Sequence, residues 1–272
     1  MKSRKQKNDK RRTFRKFVKK GKNNKTRSKR HMMSKKIKKG GGGKFSSEVI
    51  NDYNATNPIL SYESLITAIH SNDVGKVNSL INSGVNIDAT NSNNDTPLLY
   101  ATAYNNTVIS RLLIKKGADV NAKDNNNYTP LLNATRINNT VISQLLIKKR
   151  ADVNATNSNN DTPLLNATKN SNTQISLMLI ESGADIEAKD NNSNTPLLNA
   201  TMNGNTEISL MLIDRGADVN AKDYNNRTPL HYATENNDTE IIRLLIEKGA
   251  DVTANNNDGH TPTYLVTINS NK

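Results

Sequence analysis

Four histidines are the side chains in this sequence best suited to proton transfer or metal binding near neutral pH. They are His31, His70, His231 and His260, and no two stand at the spacing typical of a metal site or a nucleophile–base pair. The sequence contains no cysteine, which excludes disulfides, thiolate nucleophiles and thiolate-bound zinc. The histidines therefore predict no metal centre and no catalytic pair.

A run of glycines before Lys44 has the composition of a phosphate-binding loop but not its pattern. Such a loop needs a glycine five residues before the Gly-Lys pair and Ser or Thr after it, and Lys44 precedes Phe45. Acidic pairs such as Asp119 and Asp124 recur periodically, which favours hydrogen bonding in turns over acid–base catalysis. We predict a non-enzymatic protein without a cofactor, a metal or a small-molecule substrate.

A Thr-Pro dipeptide recurs every 33 residues and indicates one supersecondary unit copied without a change in length. Stacked copies of a short unit form long surfaces and seldom form an enclosed catalytic cleft. The six copies are Thr96-Pro97, Thr129-Pro130, Thr162-Pro163, Thr195-Pro196, Thr228-Pro229 and Thr261-Pro262.

The unit between Asp95 and Val120 predicts two helices and a loop. Thr96 is suited to cap a helix and Pro97 to occupy its first position. After a turn, leucines and isoleucines recur at helical spacing, and Gly117 predicts the left-handed end of the second helix. A polar stretch then leads to the next Thr-Pro. Each unit is therefore helix, turn, helix and projecting loop.

These motifs resemble the ankyrin repeat, which opens with Thr-Pro-Leu-His-x-Ala and closes with Leu-Leu-x-x-Gly-Ala-Asp-Val. The full match is Thr228-Pro229-Leu230-His231-Tyr232-Ala233 together with Leu244-Leu245 and Gly249-Ala250-Asp251-Val252. The resemblance covers residues 61–272 as six repeats and a terminal half-repeat, of which the first is degenerate. It implies an all-α ankyrin-repeat solenoid, with helix-turn-helix and a projecting β-turn loop in each repeat, that binds other proteins.

Three departures from the family pattern concern the turns. Leucine replaces the family's histidine, which ties loops together by hydrogen bonds, at Leu99, Leu132, Leu165 and Leu198, and only His231 keeps it. Asparagine or serine replaces the loop glycine at Asn94, Asn127, Asn160, Ser193 and Asn226, where a positive φ is expected. Arg150 replaces the helix-ending glycine, so the junction of the third and fourth repeats is predicted to be a weak point.

Residues 1–44 form a basic segment with 21 Lys and Arg residues and one acidic residue. Because apolar residues are sparse there, we predict a disordered basic N-terminal tail with a glycine-rich hinge, followed by a lead-in over residues 45–60. The sequence has neither the apolar region of a secretory signal nor a run long enough to span a membrane. A soluble intracellular protein of the cytoplasm or nucleus, including that of a host cell, is expected.

The tail's basic clusters leave three interpretations open. They fit nucleic-acid phosphates or a nuclear-import receptor, an anionic lipid surface, or no fixed partner at all. The clusters are Lys10, Arg11, Arg12, Lys19, Lys20, Lys29 and Arg30.

The resemblance places loop tips and the exposed side of each first helix on a concave binding face. Tyrosine and arginine are common anchors of protein interfaces, which singles out two patches on that face. The first patch is Tyr100, Tyr104 and Tyr128, and the second is Tyr224, Arg227 and Tyr232. Between them, Asn133, Asn166 and Asn199 predict a polar spacer; packing between repeats is the alternative role for the tyrosines.

We therefore predict a protein-interaction scaffold, expected to be a monomer, whose protein partner is not identified by the sequence. The alternative is a nuclear or nucleic-acid-associated protein in which the tail binds phosphates and the repeats recruit a protein.

Overall fold

The computed structural model describes residues 58–262, in which twelve α-helices form six antiparallel pairs and no strand occurs. The first helices of the pairs are α1 Pro58–His70, α3 Pro97–Ala103, α5 Pro130–Arg136, α7 Pro163–Lys169, α9 Pro196–Met202 and α11 Pro229–Glu235. The second helices are α2 Val74–Asn82, α4 Thr107–Lys115, α6 Thr140–Lys148, α8 Thr173–Glu181, α10 Thr206–Asp214 and α12 Thr239–Glu247. The predicted tail, most of the lead-in and the helix of the last half-repeat lie outside the described residues.

The Thr-Pro pairs begin helices as predicted. The Thr96 hydroxyl accepts a hydrogen bond from the Leu99 N–H at 3.2 Å, and Pro97 occupies the first turn, where its missing N–H has no cost. Each second helix from α4 to α10 is capped instead by an asparagine, such as Asn106, whose side-chain oxygen accepts from the Ile109 N–H. Local polar side chains therefore fix where both helices of a repeat begin.

The predicted left-handed turn positions are confirmed. The loop residues Asn94, Asn127, Asn160, Ser193 and Asn226 have φ values of 56° to 60°, and Gly259 has a φ of 75°. Asparagine adopts this region at a modest cost, so the turns persist without glycine. Arg150 also takes a positive φ, 61°, where the other repeats have glycine.

The core is one continuous row of aliphatic side chains that runs through all six helix pairs. Leucines after each Thr-Pro are fully or almost fully buried: Leu98, Leu131, Leu164, Leu197 and Leu230. Each first helix packs against its own second helix and against the next first helix, and second helices pack likewise in chain order. Burying one such leucine contributes about 1.5–3 kcal/mol, and each repeat depends on its neighbour for that burial.

Asparagine and acidic side chains connect successive repeats, both where the family's histidine is missing and where His231 retains it. Asn121 accepts a hydrogen bond through Oδ1 from the Asp152 N–H at 2.8 Å, and Asn154 accepts likewise from the Asp185 N–H. Asn203 donates through Nδ2 to the carbonyl oxygen of Thr168 in the preceding first helix. The acceptors equivalent to Asn121 in successive repeats are Asp88, Asn121, Asn154, Glu187 and Asn220. The loops therefore lose the histidine but keep polar connections of another kind.

Candidate protein-binding surface

Tyr100 and Tyr104 form an aromatic cluster with His70 at the N-terminal end of the first-helix row. Tyr100 lies on α3 and Tyr104, four residues later, caps the end of that helix; their rings stack with centroids 4.4 Å apart. The His70 ring meets Tyr104 edge-on at 6.3 Å, and its Nδ1 lies 3.3 Å from the Tyr100 hydroxyl. Tyr104 is 49% exposed, so the cluster presents aromatic area to the solvent.

Tyr62 extends this cluster into the interior. Its ring is buried, and its hydroxyl has no hydrogen-bond partner in the structure. Burial raises the pKa of both Tyr62 and Tyr100, and the carboxylate of Asp95 raises both further. Both phenols therefore remain protonated donors at neutral pH. The place of Tyr62 and His70 in this cluster was not predicted. Both belong to the degenerate first repeat, which lacks the motif that marks the surface positions in the other repeats.

Tyr128 stands apart from this cluster. It is half-buried, and the guanidinium of Arg136 lies 5.6 Å from its ring centroid. No ring contact among residues 62–262 joins it to Tyr100 or Tyr104. The first predicted patch is thus a tyrosine pair with a histidine, and a separate Tyr128–Arg136 pair.

The second predicted patch is divided between surface and interior. Tyr224 is 66% exposed at a loop tip, whereas Tyr232 is only 7% exposed. The Tyr232 hydroxyl donates to Oδ2 of Asp223 at 2.6 Å, and the Arg227 guanidinium covers the ring at 4.1 Å while pairing with Glu235. Tyr232 and Arg227 are engaged within their own repeat, so Tyr224 supplies the accessible aromatic area.

The asparagine row expected to be an exposed spacer is buried. Asn133, Asn166 and Asn199 are 3% to 6% exposed, because successive first helices pack against one another. The Nδ2 group of Asn166 lies 3.4 Å from the Thr135 hydroxyl of the preceding repeat. The expectation of a surface spacer at these positions was wrong.

Lys169 bridges two acidic side chains in the middle of the first-helix row. Its Nζ lies 3.0 Å from Asp161 and 2.9 Å from Asp190, whose side chain is only 3% exposed. Burial tends to raise the pKa of Asp190, but hydrogen bonds from Lys169 and Asn194 lower it below its usual value. Burial likewise opposes the charge of Lys169, and the two carboxylates raise its pKa above the usual value. The middle of this face is a charge network that the sequence analysis missed.

Acidic turn residues hold loop backbone, as predicted for Asp119 and Asp124. Oδ1 of Asp119 accepts from the Asn121 N–H, and Oδ1 of Asp124 accepts from the Asn126 and Tyr128 N–H groups, all at 2.8 Å. Within residues 58–262 no group of three or more His, Asp or Glu side chains is arranged to hold a metal. Over the same range no helix is long and apolar enough to cross a membrane. The basic residues of the tail lie outside the described part of the chain.

A family model described as ankyrin repeats in three copies matches the chain in six overlapping segments. The matches span residues 49–124, 65–157, 111–190, 134–223, 178–256 and 222–272. No curated protein gives a significant match to the sequence.

Proposed function

Because the chain belongs to the ankyrin repeat family, whose repeats generally bind other proteins, we propose that it binds a partner protein through the cluster of Tyr100, Tyr104 and His70. The stacked, half-exposed tyrosine pair is the observation that supports this site most directly. A tyrosine held by its neighbour loses little side-chain freedom on binding and offers both apolar area and a hydroxyl.

The exposed part of this cluster defines which groups a partner must present. Tyr104 is the exposed member of the pair, since the Tyr62 hydroxyl is buried and the Tyr100 hydroxyl lies 3.3 Å from Nδ1 of His70. Asp95 adds a negative charge close to Tyr62 and Tyr100. A partner segment with an apolar side chain over the rings and hydrogen-bond acceptors beside them matches this arrangement.

Affinity capture from cell extract tests the proposal. Replacing Tyr104 with Ala in the full chain should lower its affinity for the partner about thirtyfold or more, which is the effect of removing a strong interface anchor. Tyr104→Phe keeps the ring and should retain the partner, while Tyr224→Ala tests the second patch. Captured proteins that are identical for wild type and Tyr104→Ala would contradict the site.

The second candidate function is nucleic-acid binding by the basic tail, favoured by its 21 basic residues against one acidic residue. Replacing Lys10, Arg11 and Arg12 with Ala in the full chain should weaken binding to labelled duplex DNA. If about 6–10 phosphates are contacted, wild-type affinity should fall by about 10³-fold or more between roughly 50 and 200 mM salt. Binding that does not respond to salt would dismiss this candidate. Either function would suit an intracellular location, in the cytoplasm or the nucleus.

A further inference from the structure

The residue that ends each second helix is basic in one half of the array and acidic in the other. From α4 to α12 these equivalent residues are Lys115, Lys148, Glu181, Asp214 and Glu247, all of them exposed. Because second helices pack side by side in chain order, the residues form one column with a basic and an acidic part. Arg111 adds to the basic part and Glu207 to the acidic part.

The same face carries exposed aliphatic side chains, beginning with Val108, Val141 and Leu177, which are 59%, 44% and 39% exposed. Val141 lines a shallow groove of about 210 Å³ between α4 and α6, with Arg111 and Lys148 at its rim. Apolar area bordered by charges is typical of a surface that another molecule covers.

The charged residues of this column form no ion pair within residues 62–262, although the exposed Arg215 and Lys248 directly follow Asp214 and Glu247 in the sequence. All three ion pairs found among the described residues lie on the first-helix and loop side: Lys169 with Asp161 and with Asp190, and Arg227 with Glu235. The lysines of the basic part make no ion pair within residues 62–262. Their opposite charges lie farther along the same column.

Arg150 marks the point of reversal. It stands two residues after Lys148, the last residue of α6, and before α8, the first second helix that ends in an acidic residue. Of the six positions that end a second helix it is the one without glycine, and it adopts a φ of 61° with an exposed side chain. A bulky residue held in this strained conformation suggests a role outside the folded monomer.

We propose that the second-helix face of α4, α6, α8 and α10 binds a second copy of this chain, in place of the monomer expected from the sequence. A two-fold axis parallel to the second helices and between α6 and α8 reverses the helix order. It brings Lys115 opposite the partner copy's Asp214 and Lys148 opposite its Glu181, and each contact occurs twice. The same rotation brings Arg150, two residues after Lys148, close to the partner copy's Glu181 as well.

A second copy fits better than an unrelated partner because the face is complementary to itself. An anionic partner would match the basic part and be repelled by the acidic part, whereas a rotated copy matches both. This surface lies on the second helices, so its test is independent of the tyrosine cluster.

Sedimentation equilibrium of the full chain tests the dimer. We expect reversible association that weakens about tenfold or more when ionic strength rises from about 0.1 M to about 1 M, which shortens the Debye length from about 10 Å to about 3 Å. Lys115→Glu with Lys148→Glu should abolish self-association, as should Glu181→Lys with Asp214→Lys. An equimolar mixture of the two double variants should recover a dimer, because every proposed contact is again between opposite charges.

The matched control is Lys123→Glu with Lys189→Glu, which changes the net charge equally at two exposed loop positions and should leave the dimer intact. Arg150→Gly should weaken association several-fold without lowering the melting temperature, and an unchanged dimer would refute the placement of the axis. A wild-type chain that stays monomeric, or double variants that fail to associate when mixed, would overturn the proposal.

Discussion

Replacing Lys169 with Met should lower the free energy of unfolding by about 1–2 kcal/mol, because it removes the cation from a buried carboxylate. Losing one partner of a fully buried ion pair costs about 3–5 kcal/mol. Here Asp190 is 3% exposed but Lys169 is 38% exposed, so solvent screening reduces that cost. The N–H groups of Asn192 and Asn194 remain on Oδ1 of Asp190 and reduce it further.

The neighbouring repeats supply matched controls for this substitution. Met202 occupies the position of Lys169 in α9, so the helix accommodates methionine. Asn157 occupies the position of Asp190 in the preceding loop and makes the same turn hydrogen bonds through its Oδ1. Lys169→Met combined with Asp190→Asn should therefore recover most of the lost stability.

Urea denaturation of wild type, Lys169→Met, Asp190→Asn and the double variant gives the coupling energy between the two side chains. A single Lys169→Met variant within about 0.5 kcal/mol of wild type would refute the reasoning, because changes of that size are typical of unpaired surface residues. A double variant as unstable as the single one would also refute it.

The pH dependence follows from the same pair. The lowered pKa of Asp190 means that its contribution is present above about pH 3.9, the unfolded value, and is lost as the pH falls through the lower folded value. The raised pKa of Lys169 means that its contribution is present below about pH 10.4 and is lost as the pH rises through the higher folded value. The change in the free energy of unfolding with pH should be smaller in the double variant, in both the acidic and the alkaline range.

Three further substitutions test other features. Arg150→Gly should raise the free energy of unfolding of the monomer by about 1 kcal/mol in urea denaturation, because glycine adopts positive φ without strain, and a decrease would contradict this. Burial lowers the pKa of His231, so its contribution should be present above about pH 6.5 and lost on acidification, a slope that His231→Leu should abolish in thermal melts between about pH 7 and 5. Tyr232→Phe should cost about 1–2 kcal/mol in urea denaturation by removing the hydrogen bond to Asp223, and a variant as stable as wild type would show that this bond contributes nothing.

Helix boundaries were predictable because single residues determine them locally. Thr96 and Pro97 begin a helix and Gly117 ends the next, whatever lies beyond the repeat. The burial of Asn133 and Tyr232 was not predictable in this way. Both point to a side of the first helix that only the packing of a neighbouring repeat or loop buries.

The chemistry of the candidate surface was predictable in part. The four-residue spacing of Tyr100 and Tyr104 indicates a pair on one helix face, and the rings do stack. The bridge from Lys169 to Asp190 joins the first helix of a unit to the projecting loop at its other end, so the local spacing that predicts the helices does not reveal it. The single retained His231 is easier to understand with the structure: its Nε2 donates to the His260 carbonyl oxygen in the last described loop, and its Nδ1 accepts from the Thr228 N–H.

The side-chain acceptors that connect the loops also affect how this gene can change in length. Asn121, Asn154 and Asn220 each accept from a backbone N–H of the following unit, which in turn supplies the same kind of acceptor to its successor. Inserting or deleting one whole unit leaves every donor matched, whereas a partial unit does not. Changes of length in 33-residue steps therefore preserve these hydrogen bonds, and the identical segments at residues 89–99 and 155–165 stand two such steps apart.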